Sequence, residues 1–321
     1  MSKHTDKQQK TYLVTGGCGF IGSNYINYML DTYDDIRIVN LDCLNYCSSL
    51  KNVKHAVGDS YVFIKGNISD SDFISHILTT YNVKIVVHFA AQSHVDNSFD
   101  NSLQFTMDNV YGTHVLLQCA KEYGALDRFI HFSTDEVYGE VDLDHPGCTE
   151  RSLLNPTNPY AATKAGAEFL VRAYNHSFRL PIIIIRCNNV YGPNQYPEKL
   201  IPRFIKLLKK NERLTIHGSG ETRRNFIWAE DVAIATDLVT RNGEISHIYN
   251  IGTNQEFTVM DVASYLVNKM KDGSLENWVE YVPDRPFNDF RYHLDCTKLR
   301  DLGWEPRFTD FSKNLDILIG K

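Results

Sequence analysis

The run Ser133-Thr134-Asp135-Glu136 sets a hydroxyl beside two adjacent carboxylates, and Tyr160-Ala-Ala-Thr-Lys164 follows downstream. Together these groups form an acid–base set. Tyr160 and Lys164 are four apart, so on a helix they share a face. An ammonium near a phenol favours phenolate, so the spacing predicts a Tyr160 pKa lowered by Lys164. A phenolate can take the proton of a carbinol hydroxyl while hydride leaves the same carbon. Thr134 can hydrogen-bond the reacting oxygen. Asp135 and Glu136 exceed what hydride removal needs. Two adjacent carboxylates in a closed site cannot both ionise easily, so one should keep a proton. That yields one acid and one base, as elimination of water from a keto sugar requires. Two solvated loop acids, or acids favouring a helix N-terminus, are the plainer alternative.

Hydride must go to an acceptor, and the start of the chain offers a place for one. The strand-like run Tyr12–Thr15 leads into Gly16-Gly17-Cys18-Gly19-Phe20-Ile21-Gly22. A GxxGxxG turn lets backbone approach a pyrophosphate and aims the next helix's N–H groups at it. Asp42 ends the second strand-like run, where a carboxylate accepts the adenosine ribose hydroxyls and repels a 2′-phosphate. NAD is therefore expected over NADP.

Positioning these groups needs a layered scaffold. Further strand-like runs fall at Ile36–Leu41, Tyr61–Lys65, Ile85–Phe89, Phe129–Phe132 and Ile182–Ile185, with helical patterns near 20–31, 70–81, 101–123 and 159–178. Several runs are apolar at consecutive positions, as in strands buried on both faces. The alternation predicts an α/β fold with a doubly wound parallel sheet. Thr134 then stands at the carboxyl edge, where such sheets bind ligands. Past Arg186, Pro193, Pro197, Pro202 and Gly218-Ser-Gly220 break the pattern, and core-like segments return at Ala229–Val239 and Ile248–Ile251. The expected division is an NAD-binding Rossmann domain of 1–187 plus about 229–251. A discontinuous, smaller α/β substrate domain takes about 188–228 plus 252–321.

Net charge is −6, from 33 Lys+Arg against 39 Asp+Glu, with no basic stripe to suit nucleic acid. The seven cysteines, at 18, 43, 47, 119, 148, 187 and 296, form no CxxC pair. Reduced thiols in a cytoplasmic protein are the expectation. No apolar leader or membrane-length run is visible. His88, His94, His131 and His176 read as scattered, so no metal is assigned. Cys18 reads as a small residue in the turn, exposed enough to be oxidisable.

TGGCGFIGSNY, HFAAQSHVDNS, HFSTDEVYGE, NPYAATKAGAE, RCNNVYGPNQYPEKLIP, YNIGT and DRPFNDFRYHLD together resemble the nucleotide-sugar 4,6-dehydratases of the extended short-chain dehydrogenase/reductases. The resemblance spans nearly the whole chain. It implies that Tyr160, with Lys164 and Thr134, deprotonates the sugar O4 as C4 gives hydride to NAD. It makes Glu136 the base at C5 and Asp135 the acid at the departing O6. Gly16, Gly19, Phe20, Ile21, Gly22, Asp42, Asn67, Ile68, Ala90, Ala91, Ser93, Tyr160 and Lys164 are implied around the cofactor. Ser93, Asp96, Thr134, Asn189, Lys199, Leu200, His217, Arg224 and Arg285 are implied around the nucleotide sugar. Basic side chains suit its diphosphate, since charge-assisted bonds to phosphate are short and strong.

Four departures separate the chain from bacterial dTDP-glucose enzymes: Gln92 with Asn97, Asn225-Phe226 after Arg224, the segment 285–289, and His217. They are similar to eukaryotic UDP-glucose 4,6-dehydratases, including the dehydratase portion of plant rhamnose synthases. UDP-glucose is the expected substrate and dTDP-glucose the alternative. A UDP-sugar 4-epimerase or decarboxylase would need Tyr160 and Lys164 but not the Asp135/Glu136 pair. A non-enzymatic NAD-sensing relative would usually lack the catalytic Tyr, Lys or hydroxyl, all present here. The resemblance further implies a homodimer through the helices near 101–123 and 159–178. A separate epimerase/reductase would complete a deoxysugar such as L-rhamnose.

Overall fold

The computed structural model describes residues 9–284 and 288–320. Its strands, in chain order, are β1 Lys10–Thr15, β2 Ile36–Asp42, β3 Tyr61–Lys65, β4 Ile85–His88, β5 Arg128–Thr134, β6 Ile182–Cys187, β7 Asn189–Tyr191, β8 Leu214–His217, β9 Arg223–Trp228, β10 Ile248–Ile251, β11 Glu256–Thr258 and β12 Val279–Val282. Seven of them form one sheet in the order β3-β2-β1-β4-β5-β6-β10. Every pairing in it is parallel. The order reverses between β1 and β4. At such a switch point the crossovers leave on opposite faces and open a crevice at the strands' carboxyl ends.

The helices are α1 Phe20–Thr32, α2 Ser71–Thr80, α3 Val95–Asp100, α4 Ser102–Phe105, α5 Gly112–Tyr123, α6 Pro159–Phe178, α7 Leu200–Lys209, α8 Ala229–Asn242, α9 Val259–Met270, α10 Thr297–Asp301 and α11 Phe311–Ile319. Local chemistry accounts for the ends of several. The Asp70 carboxylate accepts from Phe73 N and starts α2. Asn158 caps α6, followed by Pro159 in its first turn. Thr258 and Asp261 form a reciprocal capping box on α9.

The helix expected over 101–123 is not continuous. A π-type segment, Thr106–Tyr111, separates α4 from α5. The wider turn carries Asn109, which is buried and fully engaged. Its amide donates to Thr163 Oγ1 (2.9 Å) and Gln92 O (3.0 Å), and its Oδ1 accepts from Gln92 N (2.7 Å). Periodicity cannot reveal such an insertion, because it is held by partners from two other elements.

Two apolar clusters cover the faces of the large sheet. One is built with Tyr12, Ile26, Ile38 and Val232, the other with Leu13, Val39, Leu116 and Ile184. A third gathers Tyr191, Phe204, Ile216, Trp228, Leu266 and Phe311 around β8, β9, α7, α9 and α11. Leu299 and Trp304 depart from that grouping and pack on the sheet. No helix among the described residues is long and apolar enough to cross a membrane.

Candidate active site

The turn after β1 shows why its glycines are needed. Gly16 has φ +71°, and a Cβ there would lie 2.7 Å from Ala90 N. A Cβ on Gly22 would lie 2.4 Å from Gly16 O. The turn therefore closes only without side chains. Gly19 caps α1 with no side-chain bond to the first-turn N–H groups, leaving those donors for a ligand. Asp42 is buried and accepts from Cys18 N (2.9 Å) and Leu44 N (2.8 Å), so it ties the glycine turn to the end of β2. These features fit the diphosphate and adenosine ribose of a dinucleotide. Cys18 itself is fully buried, which corrects its expected exposure.

From this turn a cavity of about 630 Å³ runs along the carboxyl edge to β5 and α6. Its wall includes Gly16, Gly19, Phe20, Ile21, Gly22, Asp42, Asn67, Ile68, Ala90, Ala91 and Ser93. At the far end it includes Thr134, Asp135, Glu136, Tyr160, Lys164, Asn189 and Lys199. Asp96, Leu200, His217 and Arg224 are not in its wall. His217 ends β8, beside Val282, and Leu200 opens α7. Arg285 lies outside the described residues.

β5 carries Thr134 to the sheet edge, and a tight turn, Asp135–Tyr138, places both carboxyls behind it. Asp135 and Glu136 are each held by an asparagine. Asn188 Nδ2 donates to Asp135 Oδ2 (2.8 Å), and Asn158 Nδ2 donates to Glu136 Oε2 (3.0 Å). Thr134 Oγ1 donates to Asp135 Oδ1 (3.2 Å). Burial, then the Glu136 charge, pushes Asp135 up to about 7. Burial also raises Glu136, against the lowering effects of Asn158, Arg224 and Lys199. These are not solvated loop acids. One carboxyl ready to hold a proton stands beside another, as their adjacency predicts.

Tyr160 departs from expectation. Burial and the Glu136 charge raise its phenol, and the Thr134 hydroxyl only partly offsets them. The Lys164 ammonium donates to Phe132 O (2.7 Å), and burial lowers it to about 8. With two carboxyls beside it, the phenol gains less from Lys164 than the sequence spacing implies.

The histidines also correct their reading. His88 and His131 are neighbours across β4 and β5, with rings 5.4 Å apart. Thr113 Oγ1 donates to Asn109 O (2.6 Å), so it accepts from His88 Nε2, 2.9 Å away. His88 Nδ1 then accepts from Thr15 Oγ1 at 2.7 Å. Burial lowers His88 to about 3, and this neutral ring braces the start of the glycine turn.

Asn158, Asn188 and His88 escaped the sequence reading. Asn158 alone left a local signal, as an Asn-Pro helix start. Gln92 gains a reason from the structure: its amide donates to Asp108 Oδ2 (2.9 Å), where a glutamate would set two acids face to face.

Known proteins bear on this geometry. An Arabidopsis thaliana trifunctional UDP-glucose 4,6-dehydratase/UDP-4-keto-6-deoxy-D-glucose 3,5-epimerase/UDP-4-keto-L-rhamnose-reductase is 52% identical over 304 residues, covering 94% of this chain and 45% of that protein. The chain thus spans less than half the length of such plant relatives. The Mus musculus dTDP-D-glucose 4,6-dehydratase is 49% identical over 304 residues, covering 93% of this chain and 84% of that one. The Streptomyces venezuelae dTDP-glucose 4,6-dehydratase DesIV, solved with NAD bound, superposes with a TM-score of 0.90 at 38% identity, covering 97% and 96% of the two chains. The family described as GDP-mannose 4,6 dehydratase matches residues 13–315. By that match the chain belongs to the GDP-mannose 4,6 dehydratase family, with the parallel-sheet fold of the extended short-chain dehydrogenase/reductases.

Proposed function

We propose that this chain is an NAD-dependent nucleotide-sugar 4,6-dehydratase that converts UDP-glucose to UDP-4-keto-6-deoxyglucose. One observation carries the reading: Asp135, pushed up to about 7, stands beside Glu136 in the cavity that also holds Tyr160 and the glycine turn. A 4-epimerase or decarboxylase has no use for that buried pair. The glycine turn, Asp42 and the wall from Asn67 to Ser93 hold NAD. Held there, NAD would supply the hydride acceptor for the sugar C4 and the hydride donor for C6.

The chain's own groups move the protons. The Tyr160 phenol, raised by burial and the Glu136 charge, must first lose its own proton to solvent; the phenolate, beside Thr134, then receives the O4 proton as C4 is oxidised. Lys164 holds the Phe132 carbonyl and sets the floor of the site. Oxidation at C4 acidifies the C5 proton, which Glu136 takes. Asp135 gives its proton to O6, and the C6–O6 bond breaks with release of water. Glu136 then returns a proton to C5. Lys199, Arg224 and Arg285 serve the diphosphate, and Ser93, Asp96, Asn189, Leu200 and His217 the rest of the nucleotide sugar. Those roles rest on family resemblance and residue chemistry.

UDP-glucose is favoured by Gln92, Asn97 and His217 and by the plant relatives. The mouse relative keeps dTDP-glucose as the second reading. Uracil and thymine differ by one methyl, worth about 1–3 kcal/mol in a pocket. The test offers each sugar nucleotide separately without reductant and follows water loss by mass spectrometry. Faster turnover of UDP-glucose is expected. The reverse preference reassigns the substrate, and dehydration of neither sugar overturns the reading.

The chain is read as a cofactor unit, 1–187 plus about 229–251, and a sugar-nucleotide unit, about 188–228 plus 252–321. It is read as a cytoplasmic homodimer. Exposed Leu103, Met107 and Tyr111 lie near α6, which itself exposes Phe169 and Phe178. The exposure of that apolar face supports the dimer, which would bury it. Sedimentation as a monomer at micromolar concentration would remove it.

A further inference from the structure

Asp289 is 3% exposed, and its carboxylate collects hydroxyls from two distant segments. Thr157 Oγ1 donates to it, 2.8 and 2.7 Å from its two oxygens, and Tyr292 Oη donates from three residues on. Its own backbone carbonyl accepts from Arg224 Nη2 (2.9 Å). Arg224 Nη1 also reaches Phe290 O (3.2 Å), and the guanidinium lies 4.8 Å from the Tyr292 ring centre. Arg224 on β9 therefore grips the 289–292 segment from one side, while Asp289 grips Thr157 from the other.

Thr157 directly precedes Asn158, whose amide does two things. Its Oδ1 accepts from Ala161 N (2.8 Å) and caps α6, while its Nδ2 donates to Glu136 Oε2 (3.0 Å). A continuous line of contacts thus runs from Arg224 through Asp289, Thr157 and Asn158 to Glu136. Every link is buried or partly buried, where hydrogen bonds to ionised groups are strong and a shift of one partner moves the next.

We propose that Asp289 is a positioning residue that couples Arg224, at the diphosphate end, to the orientation of Glu136 at the sugar C5. The inference rests on the dehydratase reading, in which Glu136 is the base of the elimination step. Asp289 touches neither cofactor nor reacting atoms. It fixes the 155–158 approach to α6, so that occupation of the Arg224 end and the aim of Glu136 are set together. Binding energy from a remote part of the substrate is then used at the reacting carbon.

The test compares Asp289→Asn with the wild-type holoenzyme, each given UDP-glucose and dTDP-glucose without reductant. The expected result is a kcat for dehydration lower by about 100-fold with KM nearly unchanged, as for a misplaced catalytic group. Reduced-cofactor absorbance should build up, because oxidation at C4 continues while removal of the C5 proton lags. A raised KM at unchanged kcat would confine Asp289 to the nucleotide end and overturn the coupling. Wild-type behaviour, or equal losses without reduced cofactor, would overturn it too. Should Asp289→Asn not fold, Thr157→Val removes one hydroxyl and keeps the shape. Elimination should then slow about tenfold, the worth of one such bond, and Thr157→Ser should restore it. A folded Thr157→Val with normal elimination overturns the inference. A wild type that dehydrates neither sugar removes the activity and this inference together.

Discussion

The two ends of the long cavity are built by different means. At the cofactor end the working groups are backbone: the glycine turn, the first-turn N–H groups of α1, and Asp42 holding the turn from below. At the sugar end they are side chains, and their state depends on residues distant in sequence. Asp135 is held by Asn188, Glu136 by Asn158, and the Asn158 segment by Asp289. A backbone site tolerates change at its neighbours as long as the turn closes. A side-chain site can lose its chemistry while its fold survives.

The largest effect should come from the side-chain end. Glu136→Gln is expected to slow dehydration by about 10²–10⁴-fold, the usual worth of a positioned acid or base. Reduction of the bound cofactor by substrate should persist, so its absorbance would rise and remain. Dehydration at normal rate would show that Glu136 is not the C5 base.

Gly22→Ala tests the backbone end. Its Cβ would meet Gly16 O at 2.4 Å, so the turn must open. NAD binding should weaken by about tenfold or more, at a stability cost of about 1–3 kcal/mol for a strained turn. Equilibrium dialysis and thermal unfolding read the two effects. Unchanged NAD affinity would mean that the turn does not set it.

A third, smaller effect concerns pH. Burial and the Glu136 charge push Asp135 up to about 7, well above the usual carboxylate range. In its proposed role as the acid it must carry a proton, so elimination should decline as pH rises through about 7. The folded state binds the extra proton, so this group's contribution to stability is full below about 4 and lost as pH rises through about 7. Asp135→Asn should therefore melt about 2–4 °C higher than wild type at pH 8 and gain less at pH 5, while dehydration collapses. An equal shift at both pH values would show that Asp135 does not titrate there.

Much of the scaffold was legible because its signals are local. β3, β10 and α6 have the bounds their patterns predict, and the Gly16–Gly22 turn with Asp42 needs only short-range spacing to be recognised. The π-type segment at Thr106–Tyr111 was not legible, since Gln92 and Thr163 hold it open from other elements. Sequence alone determined which groups could act: Thr134, Asp135, Glu136, Tyr160 and Lys164, at the carboxyl edge of a parallel sheet. Only the tertiary structure decided their protonation, because burial and the charges that face a group set its pKa. It raised Tyr160 where Lys164 was expected to lower it, and left Asp135 close to neutrality. It also recruited Asn158, Asn188 and Asp289, whose partners are adjacent only after the chain has folded.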